Sequence, residues 1–450
     1  MADPAGPSRL TIFSYQVGFG DCFLLRFDYD GAAARHILID FGTTGLPEAV
    51  EKDHLVKIAT DIKETCGGHL EAIVATHRHA DHISGFATKD DGSGPGDIIA
   101  SMSVNCVLQP WTEAPDASID GLSLGVADNA TAMRTQLRSL QAMHAVSSQL
   151  VSMLDSESLR RVPLAIRQQL DFVGRDNLKN ASAVENLINI GEKGSAVYAY
   201  HGSNAGLDAL LPGVTTHVLG PPTLAQTQTI RKQRARHPDE FWNMALLGMQ
   251  QDAELGEETG RLFPNHPIAR RSRLPRETRW IAERIDEARG TQLLSLVRAL
   301  DSQMNNTSLI LLFEAGGKSF LFPGDAQWEN WEYALNSDYA VKLAKVDLYK
   351  LGHHGSTNAT PKSLWKKFAK RDKDPKPGRL TTLLSTMPGK HGDTLATAVP
   401  NAKLFQEAAS QSDMHSTHLF APGQIRQQVV IDLTMATRRR TRTARGVARG

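Results

Sequence analysis

The feature that most constrains this chain is the run His77-Arg78-His79-Ala80-Asp81-His82, which puts four metal-capable side chains into six residues. It follows the apolar stretch Ala72-Ile73-Val74-Ala75 and Thr76, and it precedes Ile83-Ser84-Gly85. Imidazole and carboxylate are ligand types that Zn²⁺, Mn²⁺ and iron accept. In extended backbone, residues two apart point the same way. His77 and His79 are therefore expected to serve one metal, with Asp81 and His82 turning toward a second. The ordinary alternative is a solvated polar loop. With 16 histidines in 450 residues, composition alone does not gather three into six positions.

A two-metal site needs further ligands, and these follow apolar runs later in the chain. Ser319-Phe320-Leu321-Phe322-Pro323-Gly324 ends in Asp325, and Val346-Asp347-Leu348-Tyr349-Lys350-Leu351-Gly352 leads into His353-His354-Gly355-Ser356. Asp325 is the candidate bridging carboxylate, because the preceding glycine lets the backbone turn sharply. His353 is the candidate imidazole for the second metal. His354 is the alternative, since adjacent residues alternate faces, and the one not used as a ligand would face the substrate.

His-x-His-x-Asp-His after a buried strand resembles the signature of the metallo-β-lactamase fold hydrolases. Tyr15-Gln16-Val17-Gly18-Phe19-Gly20-Asp21-Cys22, then His36-Ile37-Leu38-Ile39-Asp40-Phe41-Gly42, then Asn305-Asn306-Thr307-Ser308-Leu309 ahead of the Gly-Asp strand, continue the likeness. The set is most similar to the metallo-β-lactamase domain of the DNA-internalisation competence proteins and their soluble relatives. It covers roughly residues 9–110, 195–222 and 303–433. The resemblance implies an α+β chain, a metallo-β-lactamase αββα sandwich holding two divalent metal ions, Zn or Mn. The expected ligands are His77, His79, Asp81, His82, Asp325 and His353. Asp40 corresponds to a supporting residue near the site rather than a ligand. The fuller set has one more histidine, for which His201, His217 and His391 are candidates. His391 is favoured because it lies downstream of Ser385, where the competence-type domains carry a histidine.

Composition agrees with a large enzyme. The chain is 41% hydrophobic and 22% charged, enough to bury a sizeable core. A formal net charge of +1 implies no bulk attraction to nucleic acid or membrane. Three widely spaced cysteines, Cys22, Cys66 and Cys106, argue against a disulfide framework and for a reducing compartment. The first eight residues lack the charged-then-apolar pattern of a secretion signal. No apolar run reaches about 18 residues, which departs from the membrane-bearing competence proteins. The expectation is a cytoplasmic protein with no membrane association.

Patterning predicts one domain over 1–433, with helical insertions at about 125–190 and 223–300 and a basic disordered tail at 434–450. Leu10–Val17 and Cys22–Tyr29 read as a hairpin, Arg35–Asp40 as a third strand, and Leu55–Thr65 as a helix stopped by Gly67-Gly68. Val104–Leu108 is an apolar run closed by Pro110, and Thr216–Leu219 is strand-like. Apolar residues at a period of three to four over Ala127–Leu154 predict helix, as do Arg279–Arg289 and Leu293–Leu300. Leu309–Glu314 and Lys318–Phe322 read as a second hairpin.

Two adjacent metals would convert a water into a nucleophile and stabilise charge on the leaving oxygen. Asp81 and His354 are the candidate catalytic residues, Asp81 doubling as ligand and water-orienting group. Asn306 and Ser356 are candidate substrate-binding donors. The resemblance points to phosphoester substrates, with nucleic acid as one class, and so to a phosphodiesterase or nuclease. The basic segments at 231–236 and 270–279 are the kind that neutralise phosphates. Two alternatives remain: a hydrolase of another ester (lactone, thioester or phosphocholine type) and a non-catalytic metal-binding scaffold. An iron redox protein of the flavodiiron type is disfavoured, because such proteins carry a carboxylate where this chain has His79. Oligomeric state is not legible.

Overall fold

The computed structural model describes residues 6–47, 50–114, 180–223, 226–227, 305–356, 360–390 and 398–434. The chain divides into two compact units, one of Met1–Ala117, Lys179–Thr223 and Gln303–Gly450, the other of Ser118–Leu178 and Leu224–Ser302. Every element below belongs to the first. The helices expected at 127–154, 279–289 and 293–300, both basic segments and the arginine tail lie outside the described residues.

In chain order the elements are β1 (Arg9–Tyr15), β2 (Cys22–Tyr29), β3 (Ala32–Phe41), α1 (His54–Thr65), β4 (His69–Leu70), β5 (Ala72–Val74), α2 (Ala80–Ile83), α3 (Pro95–Ala100), β6 (Ser103–Val104) and β7 (Cys106–Pro110). They continue with α4 (Ala181–Lys193), β8 (Ser195–Ala199), β9 (Val214–Gly220), β10 (Ile310–Ala315), β11 (Lys318–Phe322), α5 (Trp328–Leu335) and α6 (Ala340–Leu343). The last are β12 (Leu348–Lys350), α7 (Lys362–Lys367), β13 (Thr381–Leu384), α8 (Ala402–Gln411), β14 (Asp413–Ser416) and β15 (Arg426–Asp432). The fold is mixed α and β, in keeping with the α+β expectation.

Seven strands form one sheet in the order β15-β1-β2-β3-β5-β7-β8, six form another in the order β14-β13-β12-β11-β10-β9, and β4-β6 is a small third. Both expected hairpins are present. β1 and β2 pair antiparallel with Arg9 opposite Asp28, and β10 and β11 pair across Gly316-Gly317 with Ala315 opposite Lys318. Beyond the hairpins the pairing turns parallel, from β3 through β8 and from β11 through β14. Parallel strands are joined by crossovers and are covered on both faces, so they read as apolar runs rather than alternations.

Three apolar clusters account for that reading. Ile12, Phe23, Leu25, Ile37 and Val74 of the first sheet share one core with Val218, Leu311, Phe313, Phe320 and Phe322 of the second. Phe23 and Phe322 meet edge-on at 6.0 Å between ring centroids. The alternate residues of the first sheet, Phe13, Leu24, Leu38 and Ile73, pack with Ile58 and Ile62 of α1 and Leu187 and Ile190 of α4. The alternate residues of the second, Leu312, Leu321 and Tyr349, pack with Trp331 of α5 and Leu364 of α7. In α1 the buried face recurs every three to four positions, with Ile58, Ala59 and Ile62 as its apolar residues and His54 at its start.

All three cysteines are buried and unpaired with one another. Among the described residues, no helix is long and apolar enough to cross a membrane.

Candidate metal centre

The residues singled out by the sequence converge because several strands end at one place. Asp40 lies in the last turn of chain of β3, His77 follows β5, Asp325 follows β11, and His353-His354 follow β12. Asp21 stands just before β2, whose first residue Cys22 pairs with Phe41. In open sheets with parallel strands, ligands bind outside the carboxyl ends of the strands. Positions of positive φ gather here too: Asp40 (54°), His353 (43°), His354 (51°) and Gly324 (54°). Non-glycine residues seldom adopt that region, and such strain concentrates at functional sites. A side chain at 324 would be excluded by space as well, since its Cβ would stand 2.7 Å from Thr76 Oγ1.

Two groups of potential ligands adjoin. One is His77, His79 and Asp81; the other is Asp81, His82, Asp325 and His354; within each group the ligand atoms lie within 4.8 Å of one another. Asp81 belongs to both, whereas Asp325, the expected bridge, belongs to the second alone. His77 Nε2 is 3.1 Å from His79 Nδ1, His354 Nε2 is 3.1 Å from Asp81 Oδ2, and His82 Nε2 is 3.1 Å from Asp325 Oδ1. Two ligands at about 2.0–2.1 Å on a tetrahedral ion stand roughly 3.3 Å apart, so these spacings suit a shared metal. The donor set tests the fit further. Asp325 Oδ2 is buried without a hydrogen-bond partner, an expensive arrangement that a cation would relieve. These buried His and Asp groups could hold a metal ion.

The imidazoles are oriented from behind. His82 Nδ1 lies 2.7 Å from Asp40 Oδ2, and Asp40 itself accepts from the Thr76 amide at 2.7 Å and the Thr76 hydroxyl at 2.8 Å. His354 Nδ1 lies 3.0 Å from the Ser385 carbonyl. A carboxylate or carbonyl behind the distal nitrogen fixes which nitrogen faces a metal. Asp40 thus stands behind His82, on the side of the ring away from Asp325. A third group of possible ligands, Asp21, Asp40 and His82, lies on this supporting side.

Electrostatics follow from burial and crowding. Burial alone would lower the His82 imidazole, but the Asp325, Asp40 and Asp81 carboxylates hold it well above its usual range. His354 is raised against burial by Asp325, Asp21 and Asp81. Burial would raise Asp325, yet His82, His354, His353 and Lys350 keep it well below the carboxylate range. His77, buried and beside His82 and His79, is pushed well below the histidine range and is neutral.

His353 and His354 separate clearly. His354 is fully buried and joins the ligand group. His353, its side chain 25% exposed, reaches no nearer than 3.9 Å to Asp325 Oδ2. The strand-end argument named His353 first. Both residues have left-handed backbone, so the chain has left the extended conformation of the strand where the two histidines stand.

The other candidates sit elsewhere or at the margin. His201 Nδ1 donates to the Leu219 carbonyl at 2.7 Å, and the ring packs edge-on against Tyr333. His217 Nε2 pairs with Glu314 at 2.7 Å. Neither is in a ligand group. His391 lies outside the described residues. Asn306 Nδ2 donates to Glu329 Oε2 at 2.7 Å, and Ser356 is half-buried, its amide donating to the His353 carbonyl at 2.8 Å.

Sequence reasoning missed Asp21 and Lys350. The Lys350 ammonium pairs with Asp21, lies 3.6 Å from Asp325 Oδ1, and donates to the Gly324 carbonyl at 3.3 Å. The available signal was a lysine inside the apolar run Leu348–Leu351, where an unpaired charge would be costly.

Comparison with known proteins adds a short match. No protein-family model matches the chain. A stretch of 56 residues, 12% of this chain, is 39% identical to ComE operon protein 3 of Bacillus subtilis (strain 168), and covers 7% of that relative's length.

Proposed function

We propose that the chain is a metal-dependent hydrolase of the metallo-β-lactamase fold, an αββα sandwich with two metal ions, Zn or Mn, that activate a water. The observation that carries this reading is the pair of adjoining ligand groups sharing Asp81. In it, His77, His79 and Asp81 hold one ion, and Asp81, His82, Asp325 and His354 hold the other. The ions would supply the nucleophile at neutral pH and neutralise charge on the leaving oxygen. The chain's own residues hold and orient: Asp40 fixes His82, the Ser385 carbonyl fixes His354, and Asp81 positions the attacking water. The core shared by both sheets, with helices packed on each outer face, supports the sandwich.

The substrate class we favour is a phosphodiester, hence phosphodiesterase or nuclease activity. The partial similarity to ComE operon protein 3 supports placing the chain near that branch of the fold. Asn306 and Ser356, both half-buried, are the residues proposed to contact substrate. The test is hydrolysis of bis-p-nitrophenyl phosphate with added Mn²⁺ or Zn²⁺, alongside metal content by elemental analysis. Turnover with about two ions per chain, both lost in Asp81→Ala with His82→Ala, supports the reading. Bound metal without turnover on this probe, DNA or RNA overturns the substrate class.

A further inference from the structure

A buried lysine ammonium lies against the candidate centre. Lys350 is 1% exposed, and among the described residues no other lysine is buried. Its ammonium is held by Asp21, with Asp325 Oδ1 at 3.6 Å and the Gly324 carbonyl at 3.3 Å. Asp21 is also 1% exposed, and its Oδ1 lies 3.6 Å from His354 Nδ1. Asp21, Asp40, Asp81 and Asp325 crowd four carboxylates into one buried region, three of them 1% exposed and the Asp81 side chain 13%.

Such a region has two electrical states. Filled with divalent cations, it is well compensated. Without them, mutual repulsion of buried carboxylates opposes folding, and imidazolium and ammonium groups, with N–H and O–H donors, offset it. A lysine placed 3.6 Å from Asp325 helps the metal-free state and works against the metal, because it shares a carboxylate with the ion it repels. Burial in low dielectric strengthens both effects.

We propose that Lys350 is an internal counter-cation that keeps the carboxylate centre assembled in the absence of metal, at the expense of metal affinity. The inference rests on the metal reading of the centre, and it is independent of which bond the protein cleaves. A lysine serving only to tie β12 to the chain before β2 would have a different signature. Its loss would lower stability equally with and without metal and would leave affinity for the ion unchanged or reduced.

The experiment uses the full chain and Zn²⁺ as the probe, with affinity from competition against a chromophoric chelator and thermal midpoints with and without the ion. Lys350→Met is expected to lose far more stability without Zn²⁺ than with it, and to bind Zn²⁺ about fivefold or more tightly. Lys350→Met combined with Asp21→Asn removes the ion pair as a unit, so it folds without metal. Its affinity is expected within about threefold of the unmodified chain, since the local net charge is preserved. Should Lys350→Met alone yield no folded protein, its recovery when Zn²⁺ is added during refolding replaces the thermal comparison, and failure to recover counts against the proposal. Equal destabilisation with and without Zn²⁺, or weaker binding by Lys350→Met, overturns it. An unmodified chain that binds no Zn²⁺ overturns both this inference and the metal reading; normal binding with no change on substitution overturns this inference alone.

Discussion

His354 Nε2 lies 3.1 Å from Asp81 Oδ2, a residue 273 positions earlier in the chain. The contact joins the loop after β12 to the first turn of α2, and so links the two hairpin-led parts of the sequence at one charged point. Each residue has other charged neighbours as well: Asp325 and Asp21 face His354, and His82 faces Asp81.

That relationship distinguishes the adjacent histidines. His354→Ala is expected to remove one bound metal per chain, with the ion beside His77 and His79 retained. His353→Ala is expected to leave metal content unchanged. Elemental analysis of both variants after dialysis checks this, and equal losses would contradict it.

The Asp40–His82 contact at 2.7 Å predicts an effect at one remove. Asp40→Asn keeps the shape but weakens the hold on the imidazole. Substitutions of this kind cost about 10–100-fold in metal affinity, and chelator competition measures it. An affinity within about twofold of the unmodified chain would run against the assigned role.

The histidines also set a pH dependence. His82 and His354 titrate above the usual histidine range in the metal-free protein, whereas a metal needs them neutral. Binding at pH 7 is therefore expected to release protons, about two per chain at most, and affinity is expected to rise with pH. In metal-free protein, the stability these raised groups contribute is complete below about pH 6.5 and is lost as pH rises through their folded values. Calorimetry in buffers of different ionisation enthalpy reads the proton count, and no release at pH 7 would contradict the charge assignment.

Next to the centre, Arg78 and Glu113 form an ion pair with side chains 13% and 5% exposed. Burial opposes the guanidinium charge, and Glu113 more than restores it. Glu113→Gln removes the carboxylate that offsets a guanidinium with much of its solvation gone, so the unfolding free energy is expected to fall by about 3 kcal/mol. Urea denaturation at neutral pH is the check; a change under about 0.5 kcal/mol would mark the pair as a solvated one.

Much of this was legible in residue order. The β1–β2 and β10–β11 hairpins show as apolar runs broken by glycines, and α1 shows as a periodic stripe ending at Gly67-Gly68. His77, His79, Asp81 and His82 announce themselves because their spacing alone brings them together. Asp325 and His354 depend on tertiary convergence, which residue order states only through the strand ends they follow. The choice between His353 and His354 turned on a left-handed backbone that periodicity does not encode. Asp21 and Lys350 were harder to place for a related reason: a lysine in an apolar run signals a buried partner, but the pair joins the residue before β2 to the last residue of β12, and residue order does not name that partner.

The central claim is that two metal ions sit beside Asp81. Anomalous-difference maps from crystals grown with Mn²⁺ or Zn²⁺ test it most directly. The expected result is one peak among His77, His79 and Asp81 and a second among Asp81, His82, Asp325 and His354. Loaded crystals with no peak at these residues, or with the metal bound elsewhere in the chain, would contradict it.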